Sequence, residues 1–188
     1  MTLEEIARQV GNCRKCPLHK GRTNPVPGDG NPKARIMFIG EAPGYWEDQK
    51  GKPFVGKAGK ILDELLQLIG LDREDTFIGN ILKCRPPDNR DPEPQEIKLC
   101  TPFLDLQLEA INPSVIATLG NFSTSYILKK FGFQAEPISR IHGKVFRKAE
   151  GLFNNFLVIP IYHPAAATYN PKMKEALRED FKVLRQNI

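Results

Sequence analysis

Cysteine is scarce in this chain of 188 residues, with four in all, and tryptophan is scarcer, with one. No apolar run is long enough to span a bilayer. The N-terminal Met1-Thr2-Leu3-Glu4-Glu5-Ile6 lacks the pattern of a secretory signal. These absences argue against a membrane protein and a disulfide-stapled secreted scaffold. They point to the cytoplasm, where thiols stay reduced and open to metals. Internal repeats, low-complexity tracts and obvious linkers are also missing, so a single domain over 1–188 is expected. Hydrophobic content of 40% and charged content of 26% are ordinary for a globular protein. A net charge of +5 and a pI near 9.0 suit an anionic partner met through a basic patch.

The four cysteines form a pattern. Cys13 and Cys16 have the spacing that lets two thiolates reach one metal centre, within Asn12-Cys13-Arg14-Lys15-Cys16-Pro17. Cys84 lies in Lys83-Cys84-Arg85-Pro86-Pro87, and Cys100 farther on. Free cysteines often serve as small core hydrophobes. Polar flanks of this kind are odd in a packed core, and a shared metal site is the better reading. Zinc ribbons use two close pairs, whereas fifteen residues separate Cys84 from Cys100. That gap favours an iron–sulfur cluster over zinc.

Short apolar segments alternate with segments of helical period, the pattern of an α/β domain. Strands are expected over 35–39, 76–82, 115–119 and 156–161, and helices over 3–10, 59–69, 94–111, 121–131 and 172–186. Ile61, Leu62, Leu65, Leu66 and Ile69 recur at helical spacing and form one buried face. Asn121, after Gly120, suits an N-cap, and Pro160 argues that the last strand runs at an edge or carries a bulge. Glu41 follows the first strand, Asn80 lies in the second, Gly120-Asn121 follows the third and His163 the fourth. Ligands of open parallel sheets bind outside the carboxyl ends of the strands. Glu41, Asn80 and His163 are therefore expected to converge on one pocket.

Gly51-x4-Gly56-Lys57-Ala58 imitates a phosphate-binding loop but lacks the Ser or Thr that holds magnesium. It reads instead as a helix-entry loop with Phe54 at its tip, either a stacking platform for a flat ligand or a core anchor. Glu41 sits in a low-bulk turn that a ligand can approach closely, against the plainer reading of a solvated carboxylate. His163 is either a structural histidine or a neutral donor toward a leaving group gaining negative charge. Asn80 offers donor and acceptor in one planar amide, suited to a base edge. The basic, proline-stiffened stretch after Cys84 is either a solvated face or a loop that contacts phosphates through Arg85 and Arg90.

Several segments, in order, resemble the family 4 uracil-DNA glycosylases, the iron–sulfur branch of that superfamily. They are Gly40-Glu41-Ala42-Pro43-Gly44 with Glu47-Asp48; Pro53-Phe54-Val55-Gly56-Lys57-Ala58-Gly59; Asn80-Ile81-Leu82-Lys83-Cys84-Arg85-Pro86-Pro87 with Asn89-Arg90; Cys100-x-Pro102-Phe103-Leu104; and His163-Pro164-Ala165. With Cys13 and Cys16 the resemblance covers nearly the whole chain. It implies a three-layer α/β/α fold around a central four-stranded parallel sheet. It also implies one 4Fe–4S cluster on Cys13, Cys16, Cys84 and Cys100, as scaffold beside the DNA.

The activity implied is base excision repair: a monomer that flips uracil out of DNA and hydrolyses its N-glycosidic bond, leaving an abasic site. Phe54 would stack on the base and Asn80 would read its polar edge. Glu41, Ala42 and Pro43 would line the site, and His163 would stabilise the departing uracil anion. Glu41 would support the sugar cation, orient water or bind uracil. Glu47, Arg85, Asn89 and Arg90 would support the pocket or contact DNA. Pro164, Ala165 and Ala166 would begin the loop that fills the gap left by the flipped nucleotide. No lysine stands out in these motifs as a Schiff-base nucleophile, so strand cleavage is not expected.

The chain departs from the family pattern in places. Tyr45-Trp46 stands where acidic or small residues are common, and the stretch Ala165 to Tyr169 offers small wedge side chains rather than a bulky leucine. Gly44 occupies the place where the better-known branch has a tyrosine that excludes the thymine methyl, which leaves Glu47 as the candidate for that task. A non-enzymatic nucleic-acid-binding module or a redox carrier would account for the cysteines. Neither would account for Glu41, Phe54, Asn80 and His163.

Overall fold

A computed structural model describes residues 1–148, 155–168 and 170–188. Its strands are β1 (Asp29–Gly30), β2 (Ile36–Gly40), β3 (Thr76–Asn80), β4 (Val115–Leu119), β5 (Phe146–Lys148) and β6 (Phe156–Ile161). They form one sheet in the order β1-β3-β2-β4-β6-β5. The four inner strands are parallel, with Gly40 opposite Asn80 and Ile36 opposite both Thr76 and Val115. β1 and β5 add short antiparallel edges that the sequence reading did not anticipate. Two or three residues carry too little alternation to read as a strand.

The helices are α1 (Leu3–Asn12), α2 (Tyr45–Lys50), α3 (Lys57–Leu68), α4 (Pro94–Ile111), α5 (Asn121–Lys130), α6 (Ile138–Ile141) and α7 (Pro171–Arg185). Successive strand residues face opposite sides, and the core divides accordingly. Met37 and Ile39 pack with Ile6, Val10, Leu104, Leu108, Ile127 and Leu128 of α1, α4 and α5. Ile36 and Phe38 pack with Leu62, Leu65, Leu66, Leu177, Phe181 and Leu184 of α3 and α7. The result is the three-layer α/β/α arrangement, and it explains the continuous apolar runs. Every residue of β2, β3 and β4 is buried, because helices cover both faces. No helix among the described residues is long and apolar enough to cross a membrane.

Two local expectations need correction. Gly120, not Asn121, is the N-cap of α5; the Asn121 Oδ1 instead accepts from the Ile138 N–H at 2.9 Å and pins α6. Pro160 lies in a strand with a neighbour on each side. β5, however, pairs only with residues 156–158 of β6. The Pro160 carbonyl points to that open side, where the Gly143 N–H meets it at 2.8 Å. The missing Pro160 N–H lies on the same side, so the ladder to β4 loses nothing.

Candidate active site

The carboxyl ends of β2, β3 and β6 open on a cavity of about 350 Å³. Glu41 is one residue past β2, Asn80 ends β3 and His163 is two residues past β6, and all three line it. Ala42, Glu47, Phe54, Asn89 and Ala165 complete much of the wall, while Pro43 is buried and is not among the lining residues. The expected convergence of distant motifs follows from the parallel register, which places strand ends side by side.

Phe54 is held in a left-handed conformation (φ 51°). Such a conformation is uncommon outside glycine and marks a constrained position. Arg73 supplies the constraint. Its guanidinium donates to the carbonyls of Pro53 (3.0 Å) and Phe54, and its Nε to Asp63 Oδ1 at 2.6 Å. Gly59 lets the first turn of α3 approach, since a Cβ there would collide with the Phe54 carbonyl. The ring is 5% exposed and stacks near His163, with centroids 5.7 Å apart and planes at 29°. Phe54 is thus both core anchor and cavity wall.

Asn80 is 2% exposed, and its Oδ1 is the one buried side-chain polar atom among the described residues with no hydrogen-bond partner. Its backbone carbonyl accepts from Lys83 Nζ at 2.8 Å. The Glu47 Oε1 accepts from the Val55 and Gly56 amides, each at 2.8 Å, and ties α2 to the Phe54 loop. Burial lifts the Glu41 carboxyl to about 7, with the Asp91 charge adding to it. Burial also lowers the His163 imidazole to about 4, against the opposing pull of Glu47. The His163 Nδ1 lies 3.2 Å from the Ala165 amide nitrogen and accepts from it, which leaves Nε2 as the protonated nitrogen and a donor.

A second, small and closed-in cavity is lined by Cys13, Cys16, Cys84 and Cys100 together with Arg22, Lys83 and Phe103. No cysteine is in a disulfide. Arg22 donates to Cys84 Sγ at 3.2 Å and to the Val10 and Gly11 carbonyls at the end of α1, and the Lys83 amide donates to Cys100 Sγ at 3.2 Å. Burial raises the Cys16 and Cys84 thiols and pushes Cys100 up to about 12. Among the described residues, no three His, Cys, Asp or Glu are gathered closely enough to hold a single metal ion.

Residues 27–185 match the uracil DNA glycosylase superfamily. The chain belongs to that family. It is 53% identical over 181 residues to a type-4 uracil-DNA glycosylase of Archaeoglobus fulgidus, covering 96% of this chain and 90% of the relative. A type-4 uracil-DNA glycosylase of Saccharolobus solfataricus is 52% identical over 188 residues, covering 99% and 86%. One from Thermotoga maritima is 44% identical over 168 residues, covering 87% and 81%. A type-5 uracil-DNA glycosylase of Pyrobaculum aerophilum is more distant, 28% identical over 200 residues.

Within this glycosylase frame, not every anticipated residue reaches the cavity. Arg90 is held by Glu96 through two bonds of 3.0 and 2.7 Å, which fixes the entry of α4 rather than leaving a free cation. Arg85 turns outward over Tyr45 and donates to Asn89 Oδ1 at 2.8 Å. Pro164 is buried at the start of a 3-10 turn, Pro164–Thr168, that exposes Ala165 and Ala166; Tyr169 lies outside the described residues. Polar flanks did not keep Cys84 near the surface, whereas Cys13 and Cys16 are half-buried. Cys84 is 6% and Lys83 only 1% exposed, because the Lys83 ammonium is satisfied by the Asn80 carbonyl and by Gln107 Oε1 at 2.7 Å. Lys83, Arg22 and Arg73 were missed as site residues. Lys83 carried a faint signal, a basic residue beside Cys84; Arg22 and Arg73 carried none.

Proposed function

We propose that the chain removes uracil from DNA, hydrolysing the N-glycosidic bond of an extruded deoxyuridine to leave free uracil and an abasic site. The observation that carries this is Asn80, a planar amide whose buried Oδ1 is unpaired in the wall of a cavity beside a fixed aromatic ring. An unpaired buried acceptor costs about 1–3 kcal/mol, so the arrangement suits a ligand that brings its own donor. Uracil presents N3–H to Oδ1 and an adjacent carbonyl to Nδ2. Cytosine in the same place would set an unprotonated N3 against Oδ1.

Extrusion of the base costs a few kcal/mol, which stacking on Phe54 and the Asn80 contacts offset. As the bond breaks, negative charge gathers on the base. Neutral His163 donates Nε2–H to the carbonyl oxygen beside the glycosidic nitrogen, a bond that strengthens as charge develops. Glu41, in its carboxylate form, supports the cationic sugar or orients the attacking water. Glu47, fixed by two amides beside Gly44, is the candidate wall against the thymine methyl. The turn from Pro164 through Ala166 occupies the gap in the duplex.

The four cysteines suit a 4Fe–4S cluster held by Cys13, Cys16, Cys84 and Cys100. Four thiols line one small cavity, and Arg22 and the Lys83 amide donate to the Cys84 and Cys100 sulfurs, contacts that would offset thiolate charge. Cys13 and Cys16 after α1, Cys84 after β3 and Cys100 within α4 would hold the cluster, so that once bound it would tie these three segments together. The protein then acts as a monomer in the cytoplasm. Incubation with a uracil-containing oligonucleotide, followed by alkali to break abasic sites, tests the reading. Cleavage by the wild type, with strong losses in Asn80→Ala and His163→Ala, supports it; an inert wild type overturns it.

A further inference from the structure

Two of the four exposed large hydrophobic side chains among the described residues are neighbours, Tyr45 at 50% and Trp46 at 56%. They open α2 between Gly44 and Glu47, both of which line the cavity. Their rings meet edge to face, with centroids 5.1 Å apart. The Arg85 guanidinium lies 5.3 Å from the Tyr45 ring centre and is tied to Asn89, itself part of the cavity wall. Trp46 lies against Gly56, where a Cβ would stand 3.5 Å from its Cδ1, and exposed Lys57 follows. The fold does not need these rings. α2 is anchored by Asp48, which accepts from the Thr23 amide at 2.9 and 3.1 Å, and by Glu47 on the Phe54 loop.

Adjacent exposed aromatics at a cavity mouth mark a contact surface rather than ordinary solvent-facing scatter. An intact duplex hides its base faces in its own stack, whereas an unpaired base offers them. Aromatic rings beside cations are the elements of single-strand binding platforms. We propose that Tyr45 and Trp46 form a stacking shelf for the unpaired nucleobase next to the extruded uracil, with Arg85 on its phosphate. This rests on the uracil-excision reading and adds a preference to it: uracil in single strands, at frayed ends or beside mismatches is bound more tightly than uracil in intact duplex.

Trp46 is the single tryptophan of the chain, so intrinsic tryptophan emission reports on this shelf alone. Titration of the full chain with uracil-free single-stranded oligothymidylate is expected to quench that emission saturably, and a blunt duplex of equal length to quench it less. In excision assays on uracil-containing single strands, Trp46→Ala and Tyr45→Ala should each raise the half-saturating DNA concentration by roughly 5- to 100-fold. The saturating rate should move less, and Trp46→Phe should recover most of the loss. The shelf is overturned by no quenching, by an unchanged half-saturating concentration in both alanine variants, or by equal losses on duplex and single strands. Quenching that grows with protein concentration without DNA also overturns it, by showing a second copy on the rings. A wild type that excises no uracil defeats the excision reading instead, and the titration then decides whether DNA reaches the rings.

Discussion

Gly40, the last residue of β2, sets the spacing on which the proposed base recognition depends. A Cβ at this position would stand 2.4 Å from Asn80 Oδ1 and 2.8 Å from two carbons of the Phe54 ring. Ordinary contact begins near 3.4 Å. Asn80 must then yield by about 1 Å, the scale of misplacement that costs a positioned group about 10²-fold in rate. Neither neighbour moves freely. Asn80 is paired in register with Gly40 and its carbonyl is held by Lys83, while the Phe54 carbonyl is held by Arg73. Overpacking of this kind costs about 1–3 kcal/mol, or several degrees of melting temperature in a chain of this size. Gly40→Ala is therefore expected to lower kcat/KM about 10²-fold while leaving a folded protein. Single-turnover excision on a labelled uracil oligonucleotide, paired with calorimetry, measures both effects. Gly11→Ala, where nothing lies within 4 Å, serves as the control and should keep its rate. A folded Gly40→Ala protein within about threefold of wild type would refute the claim that the Asn80–Phe54 spacing sets the rate.

Arg73→Ala frees the Pro53 and Phe54 carbonyls; it should lower stability by about 1–3 kcal/mol in chemical denaturation and raise KM for uracil DNA. Glu41, lifted to about 7, should give an excision rate that rises through that pH as its carboxylate forms, and Glu41→Gln should remove the inflection. His163, lowered to about 4, stays neutral across the same window. For stability, the raised Glu41 value means the folded state holds the extra proton, so this contribution falls as pH rises from 4.5 to about 7. The lowered His163 value means the unfolded state binds the extra proton, so this one falls as pH drops from 6.5 toward 4. Melting curves of Glu41→Gln and His163→Gln against pH check both signs. Purified protein should be brown, with broad absorbance near ~400 nm; Cys100→Ser should lower iron content and melting temperature together, and a colourless zinc protein would remove the cluster assignment. Borohydride should trap no covalent adduct, because Lys83, the buried lysine, bonds the Asn80 carbonyl and Gln107 and does not line the cavity.

The parallel core was legible because its strands are covered on both faces and read as short unbroken apolar runs. The cavity was legible for a topological reason: parallel neighbours bring their carboxyl ends together, so residues just past them meet whatever their distance in sequence. What escaped depends on contacts that no local window contains. Arg73 matters through two carbonyls about twenty residues upstream, and Lys83 is buried only because Asn80 and Gln107 receive its ammonium. Pro160 misled because edge character is set residue by residue along β6, through the point at which β5 stops. α2 was overlooked because six residues between Gly44 and Gly51 hold too few turns for a period to show.

The sheet margins bear on how the molecule behaves among its own copies. An unpaired strand edge is a template for another chain, and the largely buried inner strands of this sheet would make strong ones. Among them only the end of β6 reaches the rim. On one side the outermost strand is β1, with two residues; on the other it is β5, with three among the described residues. Where β6 runs past the end of β5, the open side presents Pro160, which has no donor, and a carbonyl already taken by Gly143. Among the described residues, a copy arriving edge-on finds almost no ladder to extend, an arrangement that disfavours strand-by-strand aggregation at the cost of a single proline in an inner strand.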